Sequence, residues 1–234
     1  MKIKLAGLTV EIKNRYDFVE RLCRGYESDE EPLFSVFATD EEIAREREVS
    51  EGDFPDSYLE SIVAYRKIAE QLPRYNAFVF HGAVLSVDGK GYLFTARSGV
   101  GKTTHTRLIM NRVGDRAFYV NGDKPIIRFI DGTPYAYGTP WNGKERYGTN
   151  TSVPLCGIAV VHRAETNYTL PADADAVTTM LVSQSYIPKR DARLALSALG
   201  LCNRLIEGVT LIDLYCNMDG SAADASLNAF GITI

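Results

Sequence analysis

Residues Tyr92 to Thr104 read YLFTARSGVGKTT. An apolar strand runs into a glycine-rich turn, and Lys102-Thr103-Thr104 opens a helix, which is the order of a phosphate-binding loop in its proper context. Gly99 and Gly101 have no Cβ, so the backbone can curl and aim successive N–H groups at phosphate oxygens. The positive end of the helix dipole adds to this. Lys102 then reaches the β- and γ-phosphates as a mobile point charge, and the Thr103 hydroxyl is placed to ligate a Mg²⁺ between them. Ser98, Gly99, Val100, Gly101, Lys102, Thr103 and Thr104 are therefore the expected phosphate cradle. The general pattern GxxxxGK[ST] asks for glycine at position 96, where this chain has Ala96.

Two features on either side of the loop extend the site. Downstream, FYVNGD (Phe118 to Asp123) is an apolar strand ending in a carboxylate 21 residues after Lys102. That is the place of an acid that holds magnesium or its water, so Asp123 joins Thr103 as an expected metal ligand. Upstream, His81 sits in FVFHGAVLSV, read as one strand of the hairpin that delivers the loop. Beside a γ-phosphate it is placed to orient or deprotonate an acceptor hydroxyl. Tyr137 to Asn150, YGTPWNGKERYGTN, is dense in Gly, Pro, Asn and Thr and reads as a long loop able to close over phosphate.

Further out, Thr39-Asp40-Glu41-Glu42 and Ser57-Tyr58-Leu59-Glu60 both match the S/T-x-x-E capping box, and each is expected to open a helix. After the second, Tyr58, Ile62, Tyr65, Ala69 and Leu72 mark one apolar face that Pro73 terminates. A boundary near Tyr75 divides an N-terminal lobe (1–75) from a nucleotide-binding domain (76–234). In the latter, the sequence predicts a helix near Thr103 to Val113, a strand Ala117 to Val120 and a hairpin Ile126 to Tyr137 turning at Asp131-Gly132. A buried strand CGIAVVH, helices Asp173 to Ser185 and Asp191 to Ile206, and a strand TLIDLYC follow. Strands alternating with helices predict an α/β architecture.

Composition bounds the rest. With 234 residues, 45% hydrophobic and 24% charged, the chain is an ordinary globular protein, not a disordered or collagen-like one. Leu155 to Val161 is the longest apolar run and falls far short of the roughly 20 residues that cross a bilayer. MKIKLAGLTVEI lacks the pattern of a secretory signal and reads as a strand of a cytoplasmic protein. Cys23, Cys156, Cys202 and Cys216 show no zinc-ligand spacing and read as reduced thiols. Net charge is −4, yet Glu27 to Glu60 holds 13 acids against 2 arginines, leaving +7 on the other residues. This reads as a solvated acidic surface, and no basic stripe interleaved with aromatics marks a nucleic-acid partner.

At His81-Gly82, Ser98-Gly99-Val100-Gly101-Lys102-Thr103 and Asp123, the chain resembles the phosphoenolpyruvate carboxykinase/HPr kinase superfamily, and more closely its HPr kinase/phosphorylase-like side. The resemblance implies a P-loop kinase core with a mixed β-sheet, plus a small N-terminal α+β lobe. It also implies a phosphotransferase using ATP and Mg²⁺, with His81, Asp123 and Lys102 catalytic and a serine-like hydroxyl as acceptor. The family's Asp-Asp pair falls on Gly122-Asp123, so one carboxylate is missing. That loss leaves open a non-catalytic nucleotide-binding switch or scaffold. Neither a membrane nor nucleic acid is expected as partner, and a homo-oligomer is left open.

Overall fold

The computed structural model describes residues 1–96 and 99–233. Its centre is the strand β10 (Ser152–Arg163), which takes part in two pairings at once. Its first residues pair antiparallel with β9 (Thr133–Tyr137), while its later ones lie parallel to both β6 (Lys90–Thr95) and β12 (Thr210–Cys216). From β9 the sheet continues through β8 (Ile126–Ile130) to β4 (Ala77–Val79). From β6 it continues through β5 (Ala83–Val87) to β7 (Ala117–Asn121), and β11 (Tyr168–Pro171) closes the far edge against β12. The result is a mixed, nine-stranded sheet.

Period-two alternation explains why the central strands read as unbroken apolar runs: both of their faces are covered. Phe94, Ala159, Val161 and Leu214 face Ile109 of α4 (Lys102–Val113) and Ala223 and Leu227 of α7 (Ser221–Ala229). Their neighbours Leu93, Ile158 and Val160 face the opposite side. There they meet Val177 and Leu181 of α5 (Ala174–Gln184) and Leu201 and Leu205 of α6 (Ala192–Gly208).

The N-terminal part has its own three-stranded sheet of β1 (Lys2–Leu5), β2 (Leu8–Ile12) and β3 (Phe34–Val36). MKIKLAGLTVEI is thus a hairpin rather than one strand, because Ala6 and Gly7 both take positive φ and reverse the chain. The short α1 (Phe18–Leu22), then α2 (Asp40–Val49) and α3 (Asp56–Gln71), complete it. One hydrophobic cluster joins Ile3, Val10, Tyr65 and Ile68 to Ala77, Val79, Ile126 and Trp141, so this sheet and α3 pack directly on the edge of the large one.

Thr39 forms the complete capping box with Glu42. The second box does not form. Helix α3 starts at Asp56 behind Pro55 with no side-chain cap. Glu60 is instead buried, accepting the backbone N–H groups of Arg15 (2.7 Å) and Tyr16 (3.1 Å). Tying down two amides of another segment outweighs capping the helix on which Glu60 sits. Of the expected apolar face, Tyr65, Ala69 and Leu72 are buried, joined by Leu59, Ala64 and Ile68, whereas Tyr58 and Ile62 line a cavity.

Candidate functional site

Because β5 runs antiparallel to both β6 and β7, the end of β6, the end of β7 and the start of β5 lie at one edge of the sheet. That topology brings the glycine-rich turn, Asp123 and His81 together. The FVFHGAVLSV stretch is not one strand. It breaks at His81-Gly82, since β4 pairs with β8 while β5 pairs with β6 and β7. The break leaves His81 half-exposed at the edge, with its N–H donated to the Gln184 carbonyl (2.7 Å).

The loop follows β6 as expected. Gly99 (φ +76°) and Gly101 (φ +121°) occupy conformations that side chains rarely adopt. Ala96 does not: it has no positive φ, and its methyl is buried with Phe94 and Ile109. The missing glycine at 96 is therefore no defect. Arg163, at the end of β10, donates from Nε to the Val100 carbonyl (3.0 Å) and from its other arm to the Gly99 carbonyl. Ser98 lies outside the described residues. Arg163→Ala releases both carbonyls, so on the nucleotide-binding reading proposed below ATP affinity should fall roughly tenfold while the melting temperature barely moves, as read by calorimetry and thermal unfolding.

Lys102 and Thr103, in the first turn of α4, line a cavity of about 730 Å³ together with Asp123, Lys124 and the segment Pro140 to Tyr147. Thr104, Gly99, Val100 and Gly101 lie beside it in the chain but outside its lining, and His81 reaches it only through Asp123. Burial holds the Lys102 ammonium below its ordinary pKa, against the opposing pull of Asp123.

Asp123 is held from every side. Asn121 accepts the backbone N–H groups of Asp123 (2.8 Å) and Lys124 (2.7 Å) on its side-chain oxygen, and its amide donates to Thr139. His81 Nε2 lies 3.2 Å from one carboxylate oxygen and Lys124 Nζ 2.9 Å from the other. Burial alone would raise the Asp123 pKa, but the hydrogen bond from His81 and the charge of Lys124 overcome it and hold the group far below the usual carboxylate range. Tyr65 of α3 donates to the Lys124 carbonyl (2.8 Å) and stacks on Trp141 at 4.1 Å between centroids. The acidic edge is thereby anchored to the N-terminal part.

Lys124, Asn121 and Arg163 were not among the sequence candidates. Asn-Gly-Asp carried an Asx-turn signal, but Arg163 carried none, being distant in sequence. Gly122 explains why the second carboxylate is absent: a Cβ there would sit 3.1 Å from the Asn142 carbonyl and 3.2 Å from Tyr147, whose carbonyl accepts the Gly122 N–H. The loop 138–151 crowds that position, so a side chain there requires the loop to give way. As for magnesium, the hard oxygens of Thr103 and Asp123 share the cavity and suit a cation that keeps its waters and phosphate ligands. Asp123 would hold such a cation by giving up its contact with Lys124.

The remaining histidines serve the frame. His162 pairs with Asp213 at 2.6 Å, and His105 is buried against Ser226 at 3.0 Å. Burial lowers the His105 pKa to about 4. A buried neutral histidine stabilises the fold fully above its unfolded value near pH 6.5, and that stability is lost as pH falls toward the folded value. Urea unfolding should show about 2 kcal/mol less stability from this group at pH 5 than at pH 7.5. His105→Gln should flatten that slope.

No family model and no curated protein matches the chain. A solved structure does. The Hpr(Ser) kinase/phosphatase from Coxiella burnetii is similar with a TM-score of 0.34 and 9% identity, over 64% of this chain and 94% of that one. This is a distant likeness of fold, and it assigns no chemistry. No helix among the described residues is long and apolar enough to cross a membrane.

Proposed function

We propose that the chain is an ATP- and Mg²⁺-dependent kinase that transfers the γ-phosphoryl group to a hydroxyl. The observation that carries this reading is a single cavity lined by Lys102 and Thr103 at a helix start and by Asp123, whose carboxylate His81 contacts. Thr103 and Asp123 would hold magnesium, which would supply positive charge to offset the charge that develops on the phosphates. Lys102 reaches the transferred group, and its partly desolvated charge acts more strongly than it would in water. Asp123 stays ionised, accepts the acceptor's O–H and turns the oxygen in line. The new O–P bond forms as the bond to the bridging oxygen of ADP breaks, and the hydroxyl proton leaves late in so loose a transition state, to Asp123, whose carboxylate His81 contacts. An anion as weakly basic as Asp123 suffices for orientation. A nucleotide-binding switch is favoured instead by the Lys124 contact on Asp123 and the glycine at 122. Phosphorus NMR of Mg·ATP with the protein and small-molecule extracts separates the two. A new phosphoester resonance, absent with Lys102→Ala, is expected; ATP bound but left intact would sink the kinase.

A further inference from the structure

A second cavity of about 570 Å³ adjoins the first and shares Phe18, Leu22, Pro140, Asn142 and Arg146 with it. The two are compartments of one cleft. Its charged lining is Arg21, Arg24 and Arg146, with Asn142 and Asn150 as further polar groups and no carboxylate. Among the described residues, no carboxylate lies within ion-pair distance of Arg24 or Arg146. Arg21 is paired with Asp17 one turn back on α1, an exposed pairing that a ligand displaces at little cost. Phe18, Leu22, Tyr26 and Pro140 give the compartment an apolar wall, while Arg21, Arg24 and Arg146 remain exposed and accessible to a ligand.

Three guanidinium groups line this one compartment, and among the described residues the carboxylate paired with any of them is the exposed Asp17. Arg146 sits at positive φ (+53°), a conformation unfavourable for a non-glycine residue, in a turn closed by its N–H to the Gly143 carbonyl (3.2 Å). It lines both compartments. Planar, fork-shaped donors match carboxylate and phosphate oxygens, and the volume suits a small molecule.

We propose that Arg21, Arg24 and Arg146 hold the anionic group of the phosphoryl acceptor, a small hydroxyl compound bearing a carboxylate or a phosphate ester. The anion is seated in the second compartment, and the hydroxyl reaches Asp123 in the first. This assignment rests on the kinase reading above, and its test separates the two. ADP release is followed for the full chain with Mg·ATP and a matched set: D-glycerate, glycerol 3-phosphate and uncharged glycerol. The better of the two anions, which tells carboxylate from phosphate, should show a KM at least about tenfold below that of glycerol. Arg24→Ala should raise that KM roughly ten- to hundredfold, with kcat and ATP affinity little changed, and Arg24→Lys should recover part of it. Equal KM values for glycerol and both anions, or an unmoved KM in Arg24→Ala, would overturn the proposal.

The anion site is also read without nucleotide. D-glycerate and glycerol 3-phosphate are titrated by NMR into Lys102→Ala, so that binding at the phosphate loop does not contribute. Amide shifts at residues 21–25 and 146–150 are expected, and Arg24→Ala should abolish them. Such shifts with no phosphoryl transfer to any compound would end the kinase reading and leave the anion site standing as a ligand site. Transfer to glycerol with no shifts would do the reverse. Neither shifts nor transfer would overturn both.

Discussion

Lys102→Ala should lower affinity for Mg·ATP by about a hundredfold, measured by titration calorimetry, with the circular dichroism spectrum unchanged. The side chain is half-buried and lines the cavity, and no protein hydrogen bond holds its ammonium among the described residues. Its removal therefore costs the fold little. To the nucleotide it is a charged donor in a partly desolvated cavity, where such contacts contribute about 1.5–3 kcal/mol, or up to roughly a hundredfold in affinity. Relief of the desolvation that depresses its pKa would even favour the folded chain slightly. A folded variant with unchanged ATP affinity would remove the phosphate loop from the site.

The second large effect is on turnover. Asp123→Asn keeps the shape and the Asn121-centred turn but deletes the charge that, on the proposed kinase reading, orients the acceptor, so kcat should fall about 10²- to 10⁴-fold while ATP affinity changes only a fewfold. The same substitution removes a pH dependence. The depressed carboxylate contributes stability that is complete above its unfolded pKa near 4 and lost as pH falls toward the folded value. Acid unfolding of Asp123→Asn should therefore lack part of the wild-type decline below about pH 4. A variant with normal kcat would show that Asp123 only anchors the edge.

Local chemistry made the strand, glycine-rich turn and helix legible. Two glycines at positive φ, a preceding apolar strand and a following helix lie within 13 consecutive residues, and no distant contact is needed to read them. Asp123 was legible for the same reason, at the end of its own strand. The break at His81 was not, because FVFHGAV is apolar on both sides of that residue: Phe78 and Phe80 pack in one cluster with Val84, so hydrophobicity does not mark where the strand changes partners. Glu60 is the converse case. Its spacing from Ser57 fits a cap, but its partners, the amides of Arg15 and Tyr16, lie more than 40 residues away and are visible only once the chain is folded. The arginine compartment was hidden similarly, since Arg21 and Arg24 come from the N-terminal part and Arg146 from the loop after β9.

β10 has a consequence for how the protein comes apart. One continuous strand is antiparallel to β9 at its start and parallel to β6 and β12 beyond, and its side chains enter the clusters on both sheet faces. Neither half of the sheet can open there without taking the other with it. The amide protons of Ile158, Ala159, Val160 and Val161 should therefore exchange with deuterium only through global unfolding. They should share one free energy of opening and define the slowest-exchanging unit of the chain.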